Sequence, residues 1–148
     1  MSDQMPGLPG PAPDPTTGGY WLAAGRGELV VQVCSACGTH RHPPTEVCYV
    51  CNSLDWTWAP HDGRGTVFTY TWTDRPVVPG LAHLGVYNVS VVELDGTTGV
   101  VRILTRVTDV ERDDLVVGLP VEVHFDPAGA TLDGEGVALP LFRPRAVR

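Results

Sequence analysis

The chain has no lysine: all ten of its basic side chains are arginine, against 17 acids, for a net charge of −7. That balance does not suit a polyanion as partner, which calls for a basic stripe. Long hydrophobic runs are missing as well. No apolar stretch approaches the ~20 residues of a membrane span, and the N-terminus lacks the charged-then-apolar layout of a signal peptide. The expected location is cytoplasmic, with reduced cysteines. Catalytic signatures are also wanting. The four serines (Ser2, Ser35, Ser53, Ser90) lie in no nucleophile-elbow pattern, and there is neither a His-Glu-x-x-His nor a phosphate-loop motif. His83 and His124 are isolated in sequence and read as surface or core histidines rather than bases. No independent activity is expected.

Cysteine is scarce, and all of it is used in one pattern. Cys34-Ser-Ala-Cys37-Gly and Cys48-Tyr-Val-Cys51-Asn hold all four. In a Cys-x-x-Cys knuckle the two sulfurs of a tight turn point at one ion, and a second knuckle completes a tetrahedral thiolate shell, for which structural zinc is expected. Gly38 suits the positive φ of such a turn, and Pro43 and Pro44 stiffen the excursion between the pairs. Two disulfides, a redox dithiol and a rubredoxin-type iron site are weaker readings. A dithiol needs one pair, disulfides need no matched knuckles, and rubredoxin-like sites separate their knuckles further. A four-thiolate zinc has no vacant position to activate water.

At 148 residues the chain makes about one domain, and its 17 glycines, 14 prolines and short valine-rich runs favour strands. Residues 1–15 hold five prolines and two glycines and read as a disordered tail or linker. Residues 16–60 are expected to hold a short helix and a zinc ribbon. The helix has a Thr cap, Tyr20, Trp21 and Ala24 on one face, and an end at Gly25 and Gly27. That face either packs on the protein's own body or docks on a partner. Strands at 28–33 and 56–58 flank the knuckles, and His40 and His42 are read as surface or structural groups. Residues 61–144 carry five expected strands (66–73, 86–94, 100–107, 121–125, 139–142). An acidic turn at 109–117 and a Gly-rich loop after Phe125 interrupt them. The pattern fits a five-stranded OB-type barrel, with residues 145–148 as a tail. The fold class is mostly β.

One ordered set of residues carries a family likeness. The aromatic helix is followed by Gly27-Glu28-Leu29, the two knuckles around Pro43-Pro44, Trp58, and Gly63-x-Gly65-x-Val67. Val92-Glu93-Leu94, Leu115 to Val121 and Leu139-Pro140-Leu141-Phe142-Arg143-Pro144 come after. From Tyr20 to Pro144 this resembles the zinc-ribbon and OB-fold acyl-CoA-associated proteins known as domain of unknown function 35. Tyr49 departs from the pattern, since many relatives have proline there. The resemblance implies an accessory to a thiolase-fold enzyme, free-standing or fused to a hot-dog-fold enoyl-CoA hydratase, that helps hold a CoA thioester. For the nearest form it implies a heterotetramer around the dimer of a thiolase-fold aldolase, a carbon-carbon lyase cleaving steroid side-chain CoA thioesters in cholesterol breakdown. A ketothiolase or 3-hydroxy-3-methylglutaryl-CoA synthase partner is the alternative.

Ribbons and OB barrels also bind single-stranded nucleic acid, but charge argues against it here. From Gly65 to Arg143 there are five arginines against eleven acids. A CoA needs only a few cations and apolar walls. Arg41, Arg75, Arg102, Arg106 and Arg143 are the candidate CoA contacts. Phe68, Tyr70, Trp72 and Phe142 are candidate walls, though plain barrel core is the favoured reading of each. Tyr20, Trp21, Leu141 and Phe142 are the candidate partner contacts.

Overall fold

Runs of valine alternating with polar residues make the strands, and the computed structural model, which describes residues 10–98 and 100–146, arranges them in two sheets. β1 (Leu29–Cys34), β2 (His40–Arg41) and β3 (Trp56–His61) form an antiparallel ribbon with β1 in the middle. The second sheet runs β6 (Arg102–Thr105), β5 (Tyr87–Leu94), β4 (Arg64–Thr73), β7 (Pro120–Leu132), β8 (Glu135–Pro144). Among the described residues no helix is long and apolar enough to cross a membrane.

The second sheet closes on itself. Past the end of β6, Val107 bridges Phe142 of β8 in parallel: Phe142 N–H donates to the Arg106 carbonyl at 3.1 Å, and Thr108 N–H to the Phe142 carbonyl at 2.7 Å. Antiparallel pairing throughout with one parallel closure is the five-stranded OB barrel, filled by Phe142, Leu115, Val67, Val92, Val101 and Val121. Leu115 is placed by one hydrogen-bonded turn, in which its N–H reaches the Glu111 carbonyl.

The last two strands are longer than expected. What reads as a Gly-rich loop after Phe125 is a continuous hairpin, turned at Asp133 and Gly134, both at positive φ, with a register shift between Pro127 and Thr131 that absorbs the strand-breaking residues. Gly and Pro in the interior of the run hide the strand from a periodicity reading.

The helix α1 (Gly18–Gly25) starts differently from expectation. Thr17 stands at the cap position, but its side chain makes no cap bond; the Asp14 carboxylate accepts the N–H groups of Thr16 and Thr17 at 2.9 and 2.7 Å. The end is a Schellman turn with Gly27 at φ 78°, in which Glu28 N–H reaches Ala23 and Gly27 N–H reaches Ala24. The helix lies on β8 and β1, burying Gly18, Tyr20, Ala23 and Ala24. Its glycines permit the approach: a Cβ on Gly25 would run into the Gly136 backbone, and one on Gly19 into the Trp58 indole. The aromatic face therefore packs on the protein's own body. Of the stretch expected as a tail, Gly10 lies against β7, where a side chain on it would meet Ala130, and Asp14 caps α1. Residues 1–9 lie outside the described residues, as do 147 and 148, whereas Arg145 N–H is held by the Pro120 carbonyl at 3.0 Å.

One buried polar side chain secures the barrel closure. Asn88, 3% exposed, donates to the Val107 carbonyl at 2.7 Å and accepts from Val107 N–H at 2.9 Å and the Ser90 hydroxyl at 2.8 Å. It replaces the ladder bonds that β6 no longer supplies. Asn88→Leu strands these groups without partners and is expected to lower stability by about 2–4 kcal/mol. Urea unfolding of the zinc-loaded protein reads this, and a loss under about 1 kcal/mol would contradict the assignment.

Candidate metal centre and ligand cleft

The two knuckles are built alike. Cys34 leaves the end of β1, Gly38 N–H returns to the Cys34 carbonyl at 2.9 Å, and Asn52 N–H returns to the Cys48 carbonyl at 2.9 Å. Each turn closes with a left-handed residue, Gly38 at φ 74° and Asn52 at φ 61°. Asparagine is among the side chains that tolerate this best, so Asn52 is the counterpart of Gly38. The four sulfurs lie within 4.8 Å of one another, with Cys34 to Cys51 at 3.5 Å and Cys37 to Cys48 at 3.7 Å. A tetrahedral ion with Zn–S bonds of about 2.3 Å wants sulfurs about 3.8 Å apart, so the donor set fits. Its electrostatics call for a cation. N–H groups, of Cys37 first, hold the Cys34 thiol down at about 6, and Cys48 is lowered by the Cys51 N–H. The Ser53 N–H acts the same way on Cys51, but the neighbouring sulfur of Cys34 and burial push that thiol up to about 12. Four thiolates this close need positive charge between them, and zinc supplies it as a closed structural shell.

A second feature lies where three parts of the fold meet. α1, the ribbon segment His42-Pro43-Pro44 and strands β5, β6 and β8 enclose a cleft of about 410 Å³. Trp21, Pro44, Leu81, Leu84, Leu104 and Leu139 make its wall mostly apolar. His42 and Arg106 also line it. Burial pushes His42 down to about 4, so the ring is neutral near pH 7, 5.2 Å from that of Tyr20. A wider hollow of about 530 Å³ elsewhere is lined by Asp109, Glu111 and Asp114, the wrong charge for a phosphate.

The predicted site residues separate on this map. Arg106 lines the cleft, half-buried, with no ion pair from its guanidinium among the described residues. Arg102 and Arg143 are engaged elsewhere, with Glu93 and Glu122 at 3.1 Å each, and Arg102 also stacks over Phe68 at 3.6 Å. Arg75 is exposed and is not among the residues lining the cleft. Arg41 is 2% exposed beside Gln32, which excludes it as a surface phosphate contact. Phe142 is wholly buried and serves the barrel core, neither wall nor partner anchor, while Tyr70 and Trp72 pack against that core. Tyr20, 5% exposed, is likewise internal; Leu141 and Trp21 line the cleft. The sequence pattern does not single out Leu81, Leu84 and Leu104, ordinary apolar residues that only the packing of distant segments brings together.

Two outcomes follow. Cys37→Ser should lose the metal and loosen residues 33–58 while the barrel stays folded, read by metal analysis and by amide exchange. Iron, or both pairs oxidised without metal, would overturn the zinc assignment. For His42, the unfolded chain binds a proton between pH 6.5 and about 4 that the folded chain refuses, so stability falls as pH drops through that window. At pH 5 the loss relative to pH 7.5 is expected to be about 2 kcal/mol greater in the parent than in His42→Phe. Urea midpoints of both in excess zinc test it, since zinc release is common to the two; parallel curves would contradict it.

The ChsH2 rubredoxin-like zinc ribbon domain matches residues 21–57, and the ChsH2 C-terminal OB-fold domain matches residues 58–126. A probable enoyl-CoA hydratase alpha subunit of Thermomonospora curvata is 35% identical over 126 residues, 84% of this chain; the chain spans only 36% of that protein's length. Among solved structures, a chain of the Ltp2-ChsH2(DUF35) aldolase is 34% identical, with a TM-score of 0.75 over 90% of this chain and 98% of that one. A DUF35-family protein of unknown function from Sulfolobus solfataricus shares the fold at 15% identity, with a TM-score of 0.55 over 74% of this chain and 77% of that one. Two knuckles facing one ion, passing directly into a closed OB barrel, are what the ChsH2 domains combine, and this chain belongs to the DUF35 family of ChsH2 type.

Proposed function

We propose that this chain is an accessory subunit or domain, without chemistry of its own, that binds a thiolase-fold aldolase and supports retro-aldol cleavage of a steroid side-chain CoA thioester. The observation that carries the reading is the pairing of a closed metal shell with an open apolar cleft. Four thiolates leave a zinc ion no position for substrate, so the ion serves the fold, and a ligand is offered a mostly apolar wall. The 34% identity to a chain of an aldolase assembly supports the partner class. Arrangement as a heterotetramer around a partner dimer, and fusion to a hydratase, belong to the same proposal.

The surface proposed for the partner is the second knuckle rather than Tyr20 and Phe142. Tyr20 and Phe142 are internal, and one open apolar patch is on the second knuckle, where Tyr49 is 68%, Val50 58% and Leu54 67% exposed; other open apolar side chains, Leu104 and Val117 among them, lie on the barrel. Between Cys34 and Pro60 the exposed charged side chains are Glu46 and Asp55, both acidic. A partner suited to this tip presents an apolar hollow with basic groups at its rim. The knuckle is rigid once the ion is bound, so docking costs it little ordering entropy.

Co-purification with a thiolase-fold aldolase, followed by assay with and without this chain, tests the reading. Cleavage of a steroid side-chain CoA thioester is expected to fall by at least about tenfold when the chain is withheld, with none by the chain alone. Tyr49→Asp is expected to weaken the complex about tenfold or more while retaining zinc. Equal cleavage by the aldolase alone would sink the accessory role. Activation of a ketothiolase or 3-hydroxy-3-methylglutaryl-CoA synthase instead would redirect it.

A further inference from the structure

We propose that Arg41 is the counter-charge of the metal centre: its buried guanidinium offsets part of the net negative charge that four thiolates and a zinc ion carry together, and so tunes the ribbon to a shell made wholly of cysteine. The inference rests on the zinc assignment and is independent of partner and cleft. Strand register places the residue. Gln32 on β1 stands opposite Arg41 on β2 and Trp58 on β3, and the next row along is Cys34, whose N–H reaches the Thr39 carbonyl at 3.0 Å. Side chains two apart on a strand share a face, so Arg41 and Gln32 lie on the face that carries Cys34, the first metal ligand. Diagonal neighbours of this kind have Cα atoms about 7–8 Å apart. Thr39, two residues before Arg41, has its hydroxyl 3.1 Å from the Cys37 sulfur.

The row is closed off from water. Arg41 is 2% exposed and Gln32 0%. Gln32 Oε1 accepts the Thr45 N–H at 2.9 Å, which ties the segment between the knuckles to the row and fixes the orientation of the amide. Among the described residues, neither the three guanidinium nitrogens of Arg41 nor Gln32 Nε2 has a hydrogen-bond partner. The two acids between Cys34 and Pro60, Glu46 and Asp55, are both exposed. A guanidinium keeps its charge on burial, and a buried charge is costly unless an opposite one lies near. The thiolate shell is that opposite charge. Its attraction requires no contact, because a field in a poorly screened interior acts over several ångströms.

Zinc affinity, read by competition with a fluorescent chelator, tests the inference on the full chain without any aldolase. The parent is compared with Arg41→Met, with Cys51→His, whose shell of three thiolates and a neutral imidazole carries half the net charge, and with the double variant. Arg41→Met is expected to weaken zinc binding about tenfold in the parent and about threefold beside Cys51→His, because halving the shell's charge halves the attraction. A side chain that merely packs costs the same with either shell. Gln32→Glu gives a second reading should Arg41→Met not fold. It keeps the acceptor for Thr45 and sets a negative charge opposite Arg41, and it is expected to cost about threefold more affinity with four thiolates than with three. The inference is overturned if Arg41→Met leaves zinc affinity unchanged, or if either substitution acts equally in the two backgrounds.

Discussion

The parallel closure of β8 onto the segment after β6 is the constraint from which the rest of the barrel follows. An open five-stranded sheet would leave the β6 and β8 edges unpaired and the core exposed at one side. Closure joins those edges through Val107 and Phe142, and Asn88 reaches from β5 to satisfy the backbone that the short β6 leaves behind. The interaction is polar and fully buried, so its geometry is demanding: each group has a partner, or the barrel carries the cost of a bare amide. The same closure sets the cleft, since Thr105 and Arg106 lie on one side of the seam and Pro140 and Leu141 on the other.

The metal centre acts on that cleft from a distance. Three short strands around two knuckles bury too little to stand alone, so thiolate coordination supplies what the ribbon core lacks. Between the knuckles the chain carries Pro43 and Pro44, which form part of the cleft wall. The ribbon is joined to the barrel by His40 N–H to the Thr98 carbonyl at 2.9 Å and by His61 Nε2, which donates to the Asp95 carbonyl at 2.8 Å. An ion set in the ribbon thus helps to shape the wall of the cleft.

Charge is distributed to the same end. Four arginines are committed to surface pairs, Arg26 with Glu135, Arg102 with Glu93, Arg112 with Asp74 and Arg143 with Glu122, each contributing little to stability, and Arg64 and Arg145 pair with Asp62 and Asp95. What the pairs do is remove arginines from the pool available to a ligand. Arg41 leaves the pool by burial, and Arg106 lines the cleft with no ion pair among the described residues.

Chemistry that is local in the chain is legible in the sequence. The cysteine spacing, Gly38, the Schellman glycine Gly27 and most of the strand pattern depend on residues within a few positions of one another, and short-range sterics or ligand geometry decides them. The hairpin past Phe125 is hidden because its glycines and proline are tolerated only where a register shift and a paired neighbour accommodate them. Which aromatics face solvent is not legible either: Tyr20 and Phe142 are buried and Tyr49 is open, although all three are large aromatics in favourable local patterns. Burial is a property of what lies across the gap, and that is decided by contacts between segments far apart in sequence. The ion, the element types and the barrel class are thus written in the order of the residues. Which arginine meets the cleft is settled by folding alone, because five alike guanidiniums differ solely in the neighbours that distant segments bring to them.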